Sequence, residues 1–186
     1  RAARAKSTNA VRRMENGGWY ADNFDGVGFI DALKAAHHQI AGQRVLQVGA
    51  GGAGSSIAFC IAEAGAAELH ISDIDTARAA KLAAEVAAAF PHCRTVASPA
   101  DPSGLDIIVN ATSAGLKPTD PLPLDVGKLT ADMLVVDIIM EPAETALLRK
   151  AKEIGCRIQM GRPMMDCQVQ AIAEFFDIER KHRNHG

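Results

Sequence analysis

The chain has 186 residues, is 48% hydrophobic and 4% aromatic, and carries a formal net charge of -2. That length suits one well-buried domain with a small appendage, and dispersed basic residues with so few aromatics exclude a nucleic-acid partner from the expectations. No apolar run reaches the roughly 18 residues of a membrane span and no signal-peptide pattern opens the chain, so a cytoplasmic protein without a membrane partner is expected.

The opening, RAARAKSTNAV, does not begin with methionine and reads as the start of a fragment or a processed chain. Residues 1–20, with Gly17-Gly18, read as a strand or two around a turn. Residues 21–29, ADNFDGVGF, lead into helical spacing of Val27, Phe29, Ile30, Leu33 and Ala36 that ends near Gln39. Asp25 stands at the start of that helix, where spacing alone makes it an N-cap. His37 and His38 adjoin at the helix end and read as surface residues favoured by the helix dipole.

Residues 45–54, VLQVGAGGAG, are the stretch around which the chain is organised. A short apolar strand runs into Gly49, Gly51 and Gly54 at GxGxxG spacing, and a helical pattern over residues 55–65 follows. Gly49 lets the chain reverse, Gly51 lets backbone amides approach a pyrophosphate, and Gly54 lets the helix pack on the strand. The helix N-terminus then offers free N–H groups and a positive dipole end to an anion. A bare GxGxxG also occurs where close packing alone demands it. Here a second strand, residues 68–72, ends in Asp73, about where a dinucleotide-binding unit places an acid on the adenosine ribose.

Further on, helices over residues 76–90, 144–154 and 164–176 alternate with strands at residues 95–97, 105–110, 133–139 and 157–160. Continuous apolar strands between helices predict an α/β, doubly wound parallel sheet of the Rossmann type, six strands in order 3-2-1-4-5-6, with ligand at their carboxyl ends. Three strand ends, residues 110–115 (NATSAG), 138–142 (IIMEP) and 161–164 (GRPM), converge there. Thr112 and Ser113 serve equally as turn residues or as ligand contacts. On the last helix Met165, Gln168, Ile172 and Phe175 or Phe176 share a face, so the Gln168 amide lies within an apolar stripe and needs partners. Cys60, Cys93, Cys156 and Cys167 form neither a CxxC pair nor zinc-ligand spacing and read as reduced structural thiols, and no metal site is expected.

These motifs, taken in order, resemble the shikimate dehydrogenase family. Residues 23–29 are similar to its NTDGxGF, residues 49–54 to its GAGGA loop, residues 110–116 to its NxTxxGM, residues 144–148 to its ETxLL, and residues 161–168 (GRPMMDCQ) to its GxxMLxxQ. The resemblance runs from about Asn9 to Phe176. It implies an N-terminal catalytic domain and a C-terminal dinucleotide domain joined by helices, with a small-molecule substrate in the cleft. Residues 1–24 then represent a remnant of the substrate domain, 25–40 a connecting helix, 41–160 the dinucleotide domain, and 161–186 a C-terminal helix returning to the cleft. By resemblance Asn9, Asp25 and Gln168 bind substrate hydroxyls, Asp25 becomes the catalytic residue, and a hydride passes from a ring carbinol carbon to a nicotinamide. Gly49, Ala50, Gly51, Gly52, Ala53, Asp73, Arg78, Thr112, Ile138 and Gly161 are the cofactor-binding candidates.

Four departures from the family pattern shape the expectation. The family's lysine falls before residue 1, and Lys6 does not match it, so this chain alone is expected to have little or no activity. NADP-using members carry Asn-Arg-Thr after the second strand, whereas this chain has Asp73-Ile74-Asp75. A carboxylate accepts both ribose hydroxyls and repels a phosphate, so NAD is the expected preference, with NADP the alternative because Arg78 matches a second basic position. Asp75 itself reads as the N-cap of the helix that follows. The tyrosine of DxxYxP is Met140, which leaves shikimate, quinate or another cyclic polyol carboxylate open as substrate. The threonine of NTDG is Phe24, and Arg162 follows Gly161 in the final motif, either turned to a carboxylate or to water. The leading expectation is an NAD-preferring dehydrogenase of the shikimate or quinate type, associated with aromatic amino acid biosynthesis, monomeric or homodimeric. A dinucleotide-binding module without catalysis, or another two-domain Rossmann dehydrogenase such as a folate-linked one, are its alternatives.

Overall fold

The computed structural model describes residues 1–178. A single helical turn, α1 (Ala2–Ala5), is followed by an antiparallel hairpin of β1 (Ala10–Arg13) and β2 (Trp19–Asp22), paired from Ala10 opposite Asp22 to Arg13 opposite Trp19. The hairpin is the expected strand pair. Sequence periodicity did not reveal α1, because one turn is too short to show a helical period.

Then come α2 (Asp25–Ala35), β3 (Arg44–Val48), α3 (Gly52–Glu63), β4 (Glu68–Ser72), α4 (Thr76–Ala89), β5 (Arg94–Ala97), β6 (Ile107–Asn110), β7 (Leu134–Asp137), α5 (Ala146–Ile154), β8 (Arg157–Gln159) and α6 (Arg162–Phe175). The strands β3 to β8 form one six-stranded sheet in the order β5-β4-β3-β6-β7-β8, all pairs parallel. This is the doubly wound order expected from the sequence. Helix ends differ by a few residues: α2 stops at Ala35 rather than near Gln39, and His37 at φ 59° turns the chain away from the helix. The N-terminus of α6 moves back to Arg162, with Pro163 in its first turn, where a missing N–H costs nothing.

The strands are buried on both faces, and alternation along them divides the core in two. Val45, Ile107, Val109, Leu134 and Val136 meet α2, α3 and α4 on one side, while Leu46, Val48, Ile108 and Val135 meet α5 on the other. Ile57, Ile61, Leu69 and Leu148 are fully excluded from water, each contributing roughly 1.5–3 kcal/mol of apolar burial. Helix α2 joins this core to α3 and α6 through two glycines. A Cβ at Gly26 would lie 2.4 Å from the Ser56 carbonyl, and one at Gly28 2.6 Å from the Met164 carbonyl. The DGxG spacing is thus a packing device that places Asp25 and Gln168 side by side.

Candidate functional site

Register sets the site. Val48 pairs with Ser72 on one side and Asn110 on the other, and Asn110 pairs with Asp137, so four strands end on one level. The chain leaves that level at Gly49, Asp73, Ala111 and Ile138. A crevice of about 600 Å³ opens there, lined among others by Gly49, Gly51, Asp73, Arg78, Thr112 and Pro121.

The glycine loop rims the crevice. Gly49 at φ 107° makes the reversal, and its close approach to the Ala111 carbonyl leaves no room for a Cβ. Gly51 caps α3 in extended conformation, so the first N–H groups of α3, from Gly52 and Ala53, head the helix without intrahelical partners, as helix starts require. The Gly49 carbonyl and the Gly54 carbonyl both accept from Gln47 Nε2 at 2.8 Å, and the Ala50 N–H donates to Asp73 Oδ2 at 2.7 Å. The other oxygen of Asp73 accepts the Asp75 N–H at 2.9 Å.

Asp73 therefore has both carboxylate oxygens bonded to backbone, and its side chain is only 7% exposed. Asp75 caps α4, accepting from the Arg78 N–H, as expected. The Arg78 guanidinium lies 3.3 Å from Asp75 and 3.7 Å from Asp73, half exposed beside the crevice. Thr112 is knit into its own turn: its hydroxyl donates to Asn110 Oδ1 at 2.7 Å and accepts from the Ala114 N–H. Gly161 passes so close to the Ile138 and Ile139 carbonyls that a Cβ would stand 2.5 Å from each. Thr112, Ile138 and Gly161 thus stand at the strand ends, as expected.

Beneath these loops lies a polar network to which the sequence reading gave no role. Asn110, Asp137 and Thr145 are wholly buried. Asp137 Oδ2 accepts from Asn110 Nδ2 at 3.1 Å and from the Thr145 hydroxyl at 2.8 Å, while Oδ1 accepts the Ile139 N–H. Thr145 also accepts the Leu148 N–H at the head of α5, which explains the spacing of ETALL. Burial pushes the Asp137 carboxyl above the ordinary carboxylate value against these three donors. Asn110 and Asp137 close apolar strands at a site-facing end, and Gln47 interrupts one. Those were the available signals.

The second cluster forms on Asp25. Its carboxylate accepts from Gln168 Nε2 at 2.6 Å, Asn9 Nδ2 at 3.0 Å and Asn23 Nδ2 at 3.3 Å. The cap reading of Asp25 is overturned: Phe24 is the N-cap, and Asp25 is the first residue of α2. Its carboxylate accepts from side-chain amides rather than from the helix, while Asn23 and Asn9 take the N–H groups of Asp25 and Phe24. Asn9, Asp25 and Gln168, expected together, are together. On α6 Met164 and Gln168 are buried, and Met165, Ile172 and Phe175 are partly so.

The departures also have places. Phe24 is buried edge-on against Phe175, so the aromatic replaces a polar residue by packing. Met140 is 40% exposed. Arg162 points to Asp166 on its own helix at 3.0 Å. Lys6 pairs with Glu85 on α4. Among the described residues, Cys60, Cys93 and Cys156 are buried and Cys167 partly so, all as free thiols. Burial raises the Cys60 thiol to about 11, so it stays protonated. Among them, too, no group of three His, Cys, Asp or Glu could hold a metal, and no helix is long and apolar enough to cross a membrane.

No family model matches the chain. A shikimate dehydrogenase (NADP(+)) of Arthrobacter sp. strain FB24 is 36% identical over 168 residues, 88% of this chain and 57% of that protein. The quinate dehydrogenase from Corynebacterium glutamicum in complex with NAD superposes with a TM-score of 0.85 at 31% identity, over 96% of this chain and 65% of that one. The ligand-free 5-ketofructose reductase of Gluconobacter sp. strain CHM43 also gives 0.85, at 35% identity, over 94% and 64%. The chain thus spans about three-fifths of the length of the proteins it matches. The Arthrobacter relative is named for NADP(+) and the quinate dehydrogenase neighbour is in complex with NAD, so the NAD preference read from Asp73 is not borne out by these likenesses.

Proposed function

We propose that the chain belongs to the shikimate dehydrogenase family, to which it is similar over the stretch that it spans, and that it serves an oxidoreductase acting on a cyclic polyol carboxylate of the shikimate or quinate type. The observation that carries this reading is Asp25. Three side-chain amides, from Asn9, Asn23 and Gln168, converge on one carboxylate at the head of a helix, and an arrangement of that kind orients a hydroxyl-bearing ligand.

The residues at the strand ends fit a dinucleotide: N–H groups at the head of α3 suit its pyrophosphate, and the crevice has room for the adenosine half. When bound, the nicotinamide supplies or accepts the hydride. Asp25 orients the substrate hydroxyl and stands in line for its proton, and Asn9 and Gln168 hold neighbouring hydroxyls. NADP(H) is the proposed nucleotide. Its support is the NADP(+) for which the Arthrobacter shikimate dehydrogenase is named, together with an Arg78 that borders the crevice.

A second reading, reduction of a sugar ketone, is favoured by the 5-ketofructose reductase neighbour and by Met140 in place of a phenol. The test is a turnover panel of shikimate, quinate and 5-ketofructose with both nucleotides. It should be run on this chain and on a protein of the relatives' length where the gene encodes one. Shikimate or quinate oxidation coupled to NADP reduction is expected of the longer protein, and little or none of this chain alone. Turnover of 5-ketofructose alone would move the substrate to sugars, and nucleotide binding without turnover of any of them would leave a binding module.

A further inference from the structure

Gln47 is wholly buried in the middle of an apolar strand, a place where an amide is a liability unless each of its atoms is bonded. Its Nε2 donates to two carbonyls, those of Gly49 and Gly54, at 2.8 Å each. Its Oε1 has no hydrogen-bond partner among the described residues. The amide cannot be turned over, since the oxygen would then face two carbonyl oxygens. Leucine would fill such a position without an unpaired Oε1, but it would take from the Gly49 carbonyl the donor that holds it. The amide is thus retained at a cost to the core, and what it holds is the loop.

The Gly49 carbonyl and the Ala50 N–H belong to one peptide unit. Gln47 takes its oxygen from below, and Asp73, at the end of the adjacent strand, takes its N–H from the side. With its two poles fixed, the plane of that peptide cannot rotate, and it is the hinge by which the loop enters α3. The second Nε2 bond, to Gly54, ties the same amide to the first turn of that helix. We propose that Gln47 and Asp73 are a pair of positioning residues that lock the Gly49–Ala50 peptide, so that the N–H groups after it are held in place for a pyrophosphate before any nucleotide arrives. On this view the lock serves both nucleotides alike. The inference rests on the dinucleotide reading of the site.

Titration of the chain with NADH and NADPH tests it, using Gln47→Met, which keeps length and volume but cannot donate, and Asp73→Ala. Each is expected to raise both dissociation constants about tenfold, the effect of losing one or two hydrogen bonds and the pre-organisation they give, with the NADPH/NADH ratio unmoved. Far-UV circular dichroism at the titration temperature confirms that each variant is folded. In the unsubstituted chain without nucleotide, the Ala50 amide is expected to exchange slowly with deuterium. Unchanged constants in Gln47→Met, or fast exchange at Ala50, would overturn the lock. Asp73→Ala that weakens NADH while tightening NADPH would overturn it as well, returning Asp73 to the ribose. A chain that binds neither nucleotide would take down the dinucleotide reading and the inference together, whereas binding that ignores the substitutions removes the inference alone.

Discussion

The glycine loop and the Asp25 cluster are built in different ways. Around the loop the side chains that matter come from the strand that leads into it and from its neighbour: Gln47 bonds residues two and seven positions away, and Asp73 a residue 23 positions away. At Asp25 one donor comes from two residues back, one from the hairpin, and one from 143 residues further along the chain. The loop is completed by the sheet that carries it. The cluster exists only when α6 returns to α2 across Gly28, and its hairpin side leaves Trp19 71% exposed with Val11, Met14 and Tyr20 also in water. The locked loop needs one βαβ unit, while the Asp25 cluster needs the closed fold.

Substitution of Asp25 separates the two regions most sharply. Asp25→Asn removes the charge on which three amides converge, and in an active protein it should lower turnover about 10³-fold, the scale of a lost acid–base group. Dissociation constants for the nucleotide should stay within about twofold. Parallel loss of nucleotide affinity would show that the regions are one cooperative site and would break the comparison.

The next effect falls on the sheet end itself. Thr145→Val keeps the shape but takes one donor from buried Asp137 and the cap acceptor from the Leu148 N–H. Stability in chemical denaturation should drop by about 2–3 kcal/mol, because a buried carboxylate loses a partner and a helix loses its cap. Nucleotide affinity measured on the folded variant should fall as well if Asn110 and its turn depend on that network. A loss of stability below about 0.5 kcal/mol would mean that Asp137 is adequately held by Asn110 and Ile139 alone.

Much of this was legible in the sequence, for identifiable reasons. The strand order followed from apolar runs separated by amphipathic helices, and Gly49 and Asp75 announced their backbone roles, since each answers a local geometric demand. The convergence of Asn9, Asp25 and Gln168 is a tertiary fact that no spacing encodes; resemblance to a known pattern supplied it. What stayed hidden was the direction in which buried polar groups point. Asp73 reads as a ribose acceptor by position, and nothing in the spacing showed that each of its oxygens also takes a backbone N–H, from Ala50 and Asp75. Asp25 reads as a helix cap, yet its side chain turns away from the helix to meet Gln168. Side-chain direction depends on which donors packing brings near, and that is decided after the elements have formed.

The smallest expected effect is a pH dependence, and it sharpens the comparison because it belongs to the sheet end alone. Burial raises Asp137 above the ordinary carboxylate value near 4, so the folded chain holds that proton more tightly than the unfolded chain does. Between the ordinary and the raised value the folded state therefore binds more protons, and stability declines as pH rises through that window. Asp106 works in the opposite sense: its hydrogen bond to the Arg44 guanidinium holds it low, so its contribution is present above the ordinary value and is lost only as pH falls through the lowered one. Asp137→Asn removes the first titration and leaves the second in place. Denaturation midpoints of the two proteins from pH 3 to pH 7 should then differ by a margin that narrows as pH rises, the parent losing the advantage of its protonated carboxyl. A margin that stays flat or widens would mean that the donors from Asn110, Thr145 and Ile139 outweigh burial, and that the sheet end holds Asp137 as a fully stabilised anion.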